Sequence, residues 1–228
     1  EHQGKQPGTV ISFMIPRDTP GFIIKDDWNT MGMRSTESRS TELQDAFIPE
    51  SNVFLERPVF TRGGVTDLFP RAPFTIGSVY IGIAIAARDF VVEFMRDRPR
   101  FPLKKPMSHL PSVYNKVGEM DALIETARAV MWKAAAEADQ EEPRRWIRKS
   151  VASRMVAMEN SVRVVDLAMR TVGGIAYFKR LPLERYYRDV RAGLFHPFDT
   201  DETLELLGKT AFGIPMYDED TIRAVKEV

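Results

Sequence analysis

The feature that most restricts the fold of this chain is a helical repeat of apolar residues in its second half. Between residues 113 and 131, Val, Met, Ile and Ala recur every three or four positions, which is the period of one helix face. A second stripe of this kind runs from Ile147 to Val172. Long helices with one apolar face must bury that face against each other, so the pattern predicts an antiparallel helical bundle.

Start and stop signals divide this half into separate helices. The glycine pair Gly173–Gly174 ends the second stripe, and Asp199 or Thr200 caps the last of the main helices. An uncharged run at 72–87 is marked by glycines and is too short for a membrane span, so it predicts a buried central helix that is apolar on all sides. The predicted helices cover 74–95, a region around 113–131, Pro143 to Val172, 182–194, 200–211 and 217–228.

Residues 1–58 have a different period. Short runs rich in β-branched and aromatic residues alternate with turn sequences such as Thr19-Pro20-Gly21. The predicted strands cover 9–16, 22–25, 41–47 and 52–55. The fold class is therefore mainly α with a small antiparallel β segment. The expected domain division is 1–58, a linker at 59–69 and a helical domain at 70–228.

Composition excludes several classes of function. The formal net charge is zero, which argues against a broad surface for nucleic acid or anionic membrane. The chain has no cysteine, so disulfides, thiolate metal sites and a cysteine nucleophile are excluded. None of the three histidines has a second ligand at metal-binding spacing, and no metal is expected. With no signal peptide visible, a cytoplasmic location is the default expectation.

Three groups of residues could carry chemistry. His196 lies where a helix gives way to a loop and could exchange or donate a proton near neutral pH, although spacing alone favours a helix-end histidine that binds backbone carbonyls. Arg98 begins a basic cluster that could bind phosphate or simply complement a helix dipole. Gly173 and Gly174 allow a close backbone approach to a ligand, or serve only as a helix stop.

The order of four motifs adds a resemblance. The motifs are VISFMIPRDTPG, WNTMGMRSTESRSTELQDAFIPE, RDRPRF at 96–101 and VGGIAYFKRLPLERYYRDVR at 172–191. Together they resemble the acyl-CoA dehydrogenase superfamily of flavoproteins over nearly the whole chain. The resemblance implies part of a middle β-domain of barrel-like form at 1–58, followed by a C-terminal four-helix up-and-down bundle. It also implies an incomplete chain, because the family's N-terminal helical domain is missing.

The resemblance carries site residues with it. Arg98 matches an arginine that reaches the pyrophosphate of FAD, usually across a subunit boundary, and Phe101 matches its aromatic partner. Gly173 and Gly174 match glycines that approach the nucleotide part of FAD. A homodimer or homotetramer is implied, because the bundle drives assembly in the family.

One departure from the family decides the expected chemistry. The family's catalytic glutamate falls at Pro197 here, within His196-Pro197-Phe198, and near the other known position of the base, at Ala72, no carboxylate lies closer than Asp67. The corner is most similar to two-component flavin monooxygenases, which carry a histidine at the place of His196 and form a C4a-peroxyflavin. That similarity implies reduced FMN or FAD from a separate reductase and a small apolar or aromatic substrate.

Two alternatives remain open at this point. One is an acyl-CoA dehydrogenase whose base comes from elsewhere, and the other is a non-catalytic bundle that serves oligomerisation. As a piece of a larger flavoprotein, whether monooxygenase or dehydrogenase, the isolated chain is expected to be inactive.

Overall fold

The computed structural model describes residues 9–58, 72–140 and 143–215 of the 228-residue chain. The described part is mainly helical with small antiparallel sheets, as the sequence predicted. The predicted linker at 59–69 and the predicted terminal helix at 217–228 lie outside the described residues.

Three long helices form the body of the bundle. Helix α3 packs against both α1 and α2, and the shorter helices α4 and α5 pack on its other surfaces. Most buried residues of the stripes, such as Met120, Ile124 and Val165, pack in one large cluster, and Ala127 and Met131 belong to a smaller second one. The helices are α1 (Ala72–Arg96), α2 (Pro111–Ala138), α3 (Pro143–Val172), α4 (Leu183–Arg191) and α5 (Thr200–Phe212).

Helix α1 corrects one prediction. It was expected to be buried on all sides, but it buries one stripe at helical spacing, and Val79 on another side is 50% exposed. By length and composition α1 could cross a membrane, since its most apolar stretch of 18 residues has a mean hydropathy of 1.5. In this fold its buried stripe instead faces α2 and α3. The run of uncharged residues therefore predicted the helix correctly, but it did not predict which side of the helix is buried.

The strands pair in three antiparallel two-stranded ladders. Strand β1 (Thr9–Phe13) pairs with β4 (Val53–Pro58), and β2 (Phe22–Ile24) pairs with β3 (Thr41–Leu43). The expected strand at 41–47 is shorter because Asp45 has a positive φ of 49°. The third ladder, β5 (Pro99–Arg100) with β6 (Leu103–Pro106), was not predicted.

The start of α5 is fixed by a capping box. The Asp199 side chain accepts a hydrogen bond from the Glu202 backbone nitrogen at 2.9 Å, and the Glu202 carboxylate accepts from the Asp199 nitrogen at 3.2 Å. Of the two predicted caps, the structure therefore uses Asp199 and not Thr200. The cap begins three residues after His196 and so fixes the segment that carries this histidine.

Candidate functional site

His196 forms a close pair with Tyr80 of α1. The Tyr80 hydroxyl lies 2.7 Å from His196 Nε2, and the two rings meet edge to face with centroids 5.7 Å apart. Tyr80 is only 1% exposed. A Cβ on Gly193 would lie 3.1 Å from the Tyr80 ring, so the absence of a side chain there lets the short turn before His196 pack directly on that ring. The pair ties the loop to the centre of the bundle.

A cavity of about 430 Å³ opens beside this pair. Its wall is mostly apolar, and its polar lining residues include threonines, a serine and Arg188. Among the described residues that line it, none is an aspartate or a glutamate. The lining residues are Trp28, Thr30, Met31, Gly32, Met33, Thr36, Ser38, Tyr80, Arg188, Ala192, Phe195 and His196.

One wall of the cavity comes from the β segment, which docks on α4. A Cβ added at Gly32 would lie 2.3 Å from the Arg188 carbonyl oxygen, so only glycine fits at this crossing. The Met33 backbone nitrogen donates to Asp189 Oδ1 at 2.7 Å, and Arg188 Nη1 donates to the Met31 carbonyl oxygen at 2.9 Å. These contacts hold residues 28–38 over the cavity.

No pattern in the sequence indicated this role of Arg188 and Asp189. Within its own helix, Arg188 forms an i,i+4 ion pair with Glu184 at 2.9 Å. The same arginine also reaches across to the β segment, which no helical spacing could reveal. The pairing of Tyr80 with His196 was not predicted either. The sequence did contain a signal for it, because Tyr80 is the one tyrosine in the uncharged, mostly apolar run at 72–87.

Burial keeps both members of the pair neutral. It raises the pKa of Tyr80 to about 12, with a smaller contribution from the Asp189 carboxylate. Burial also lowers the pKa of His196 below its ordinary value, and the positive charge of Arg154 adds to this effect. At neutral pH the pair is therefore a phenol next to an uncharged imidazole.

Arg154 and Thr203 hold the loop that follows His196. Arg154 is 3% exposed and donates to the carbonyl oxygen of Phe198, which also accepts from Thr203 Oγ1 at 3.0 Å. Phe198 has a φ of 59°, a conformation that is rare for a bulky residue and persists only where neighbours enforce it. These contacts make the His196 corner rigid within a single chain.

The other predicted residues lie elsewhere. The Arg98 guanidinium stacks 4.5 Å above the Phe94 ring, and Phe101, on the β5–β6 hairpin, is 96% exposed. Tyr80 and Arg96 are sixteen residues apart on α1, about 24 Å at the usual helical rise. One chain therefore does not bring Arg98 and Phe101 next to His196.

Gly173 and Gly174 end α3 as predicted, and Gly173 has a φ of 82° that favours glycine. No atom lies within 4 Å of a Cβ built at either position, so no part of the described chain approaches them closely. Arg34 does not line the His196 cavity. It donates to the Thr30 carbonyl oxygen at 2.9 Å and lines a separate cavity of about 640 Å³.

Two expectations from the sequence concern a catalytic carboxylate and a metal site. Pro197, at the place of the family glutamate, is exposed and offers no carboxylate, and Asp67 lies outside the described residues. Within the ranges that the structure describes, no three His, Asp or Glu side chains are grouped to hold a metal ion.

Comparison with known proteins identifies the family of this chain. The family model described as "Acyl-CoA dehydrogenase, C-terminal domain" matches residues 74–199. YdbM of Bacillus subtilis, assigned to the acyl-CoA dehydrogenases, is 33% identical over 88% of this chain and 52% of its own length. The amino sugar nitrososynthase DnmZ of Streptomyces peucetius is 30% identical over 91% of this chain and 52% of its own.

A solved structure is similar as well. KijD3, in complex with FMN and dTDP-3-amino-2,3,6-trideoxy-4-keto-3-methyl-D-glucose, matches with a TM-score of 0.81 at 26% identity, over 94% of this chain and 54% of its own. The chain spans about half the length of the curated relatives it matches. Since the family model covers more than half of the sequence, the chain belongs to the acyl-CoA dehydrogenase superfamily.

Proposed function

We propose that this chain is part of a flavin-dependent oxidoreductase with monooxygenase-type chemistry on a small apolar or aromatic substrate. The observation that carries the proposal is the cavity beside His196. It offers a neutral imidazole and, among its described lining residues, no carboxylate. A monooxygenase needs a hydrogen-bonding group and a dry wall at this place, whereas removal of an α-proton needs a base.

The residues of the cavity fit a flavin ring or an aromatic substrate. The volume of about 430 Å³ lies in the usual range for small-molecule sites, and Trp28, Met31 and Phe195 give it an apolar wall. The complex of KijD3 with FMN supports a flavin cofactor here, either FAD or reduced FMN or FAD supplied by a reductase. When bound, the reduced flavin would supply the electrons that activate oxygen.

The residues of this chain would then control access and hydrogen bonding. His196 would hydrogen-bond a partly charged oxygen in the cavity, and the apolar wall would exclude water from it. Arg188 and the hydroxyls of Thr30, Thr36 and Ser38 would orient the polar end of a bound molecule. None of these roles requires a carboxylate.

Assembly of several copies is part of the proposal. Arg98 and Phe101 lie at the far end of α1 from Tyr80, and Phe101 is exposed, so a second copy is needed to bring them to a flavin bound beside His196. A homodimer or homotetramer would supply this arrangement. A second copy or the flavin would also cover Gly173 and Gly174, which no described atom of this chain approaches closely.

The second candidate function is dehydrogenation of an acyl-CoA. Its support is the similarity to YdbM, which is assigned to that activity. Under this function the base would come from a residue outside the described lining of the cavity. A non-catalytic oligomerising bundle is the third candidate, and it predicts no flavin binding.

Oxygen consumption separates the candidates. In the natural polypeptide that carries this chain, loaded with reduced flavin, we expect His196→Ala to lower substrate-dependent oxygen uptake by roughly 100-fold. His109→Ala is the matched control, because His109 is exposed and does not line the cavity. Full activity of His196→Ala, together with anaerobic bleaching of the oxidised flavin by an acyl-CoA, would favour the dehydrogenase. A colourless protein that binds no flavin would favour the third candidate.

A further inference from the structure

The surroundings of the Tyr80–His196 hydrogen bond indicate which of the two groups donates the proton. The Tyr80 hydroxyl lies 2.7 Å from His196 Nε2, and either group could donate in principle. The direction fixes which ring nitrogen of His196 carries the proton, because a neutral imidazole has one donor nitrogen and one acceptor nitrogen.

Burial of Tyr80 decides between the two directions. The side chain is 1% exposed, and His196 Nε2 is its only hydrogen-bond partner among the described residues. If Nε2–H donated, the phenol hydrogen of this nearly buried side chain would have no acceptor among the described residues, which is a costly arrangement. Among the described residues no hydrogen bond joins the Tyr80 hydroxyl to the Asp189 carboxylate, which accepts from the Met33 backbone nitrogen.

We propose that Tyr80 is a positioning residue that donates its hydroxyl proton to Nε2 and holds His196 as the Nδ1–H tautomer. Nδ1 has no protein partner among the described residues, and His196 lines the cavity. The imidazole therefore meets a bound molecule with a hydrogen-bond donor. A molecule or reacting group with an acceptor oxygen is preferred there, and His196 does not act as a proton-accepting base.

The surrounding charges keep this arrangement neutral. Arg154 on α3 disfavours a second positive charge on His196, and Asp189 on α4 disfavours a negative phenolate on Tyr80. Arg188 lines the same cavity as a third charged group. Glu202 of α5 faces Arg154 and accepts from the loop nitrogens after His196. A phenol donor and a neutral imidazole acceptor are the protonation states that these groups favour together.

The tautomer itself is independent of the proposed chemistry, but its use as a donor to a reacting oxygen rests on the proposed function. The two parts are tested by different measurements. The tautomer is measured on the chain without flavin, and the chemistry is measured by oxygen uptake of the loaded protein.

Nitrogen NMR of the imidazole rings tests the tautomer. The 228-residue chain is labelled with ¹⁵N-histidine, and only three histidines contribute signals. The His196 signals are assigned from their loss in His196→Gln. We expect a protonated Nδ1 and an unprotonated, hydrogen-bonded Nε2 at neutral pH. A protonated Nε2 in the unmodified chain would overturn the proposal, and this result needs no variant at Tyr80.

Tyr80→Phe then tests the cause. Without the phenol donor, we expect His196 to shift toward the Nε2–H form and its pKa to rise, since the neutral acceptor nitrogen loses its partner. Tyr114→Phe is the matched control at a position that is 51% exposed, and it should leave both readings unchanged. A His196 tautomer and pKa that are the same in folded Tyr80→Phe as in the unmodified chain would contradict the assigned role of Tyr80.

Discussion

The two ends of α1 differ in how completely one chain builds them. Near its start, Tyr80 is buried and bonded to His196, and the β segment is docked by Gly32 on the Arg188 carbonyl oxygen. Near its end, Arg98 stacks on its neighbour Phe94, and Phe101 is 96% exposed. The first end is preorganised by packing, whereas at the second end Phe101 is left exposed on its hairpin.

This difference separates two kinds of functional residue. A group that must hold one orientation and one protonation state needs buried neighbours, which are available only inside a folded core. A group that contacts a cofactor shared between copies must stay accessible until the copies meet. The same changes made at the two ends of α1 should therefore have very different effects on stability.

The largest expected effect is at the crossing of the β segment and α4. Gly32→Ala places a Cβ 2.3 Å from a backbone oxygen, so one of the two segments must move. We expect the free energy of unfolding to fall by about 2–3 kcal/mol, measured by denaturant titration. Gly118→Ala is the control on the exposed surface of α2, where a Cβ meets no atom. It should raise stability by up to about 1 kcal/mol, and equal losses in both variants would contradict the docking.

A smaller effect is expected from acid at the His196 corner. The pKa of His196 in the folded chain is lowered below 6.5 by burial and by Arg154, so the unfolded chain takes up a proton first. Stability from this group is therefore complete above pH 6.5 and is lost as the pH falls from there through the folded pKa.

Thermal unfolding between pH 7.5 and pH 5 measures this loss. His196→Gln keeps an acceptor for Tyr80 but cannot titrate, so we expect its stability to fall less over this range than that of the unmodified chain. The loss of stability that comes from the protonation of His196 should be smaller than the loss caused by Gly32→Ala. His109→Gln is the matched control on an exposed turn, and it should follow the unmodified chain. An acid response that His196→Gln leaves unchanged would show that another group carries it.

The smallest effect on stability is expected at the hairpin. Arg98→Ala removes one exposed stacking contact and should cost less than about 1 kcal/mol, while Phe101→Ala should leave unfolding unchanged. In the proposed homo-oligomer, both variants should weaken flavin binding, with a roughly tenfold loss for Arg98→Ala, whose guanidinium is proposed to contact a phosphate. Fluorescence titration with flavin measures the change in affinity. A large loss of stability without a change in flavin affinity would show that these residues support the fold and do not bind the cofactor.

Much of the fold could be predicted from periodicity. The stripes from residue 113 and from Ile147 gave α2 and α3, because apolar spacing directly reflects which face of a helix is buried. The end of β3 was not predictable, since it depends on the positive φ of Asp45. The degree of burial of α1 was also wrong, because an apolar composition does not specify which side a neighbour covers.

For the site, the sequence alone determined the candidate residues. It gave His196 as a proton-exchanging group, showed Pro197 at the place of a family carboxylate, and marked Arg98 as a phosphate-binding candidate. The conclusions on His196 and Arg98 follow from the chemistry of their side chains, whereas the position of Pro197 follows from the resemblance to the family.

Only the tertiary structure decided what surrounds His196. Tyr80 lies 116 residues away in the chain, and the Met33 nitrogen that binds Asp189 lies 156 residues away. Such pairs depend on how helices and strands cross, and sequence spacing carries no information about that crossing. Burial at the crossing then sets the protonation of both Tyr80 and His196, so the state of the imidazole is a property of the packed core and not of the histidine itself.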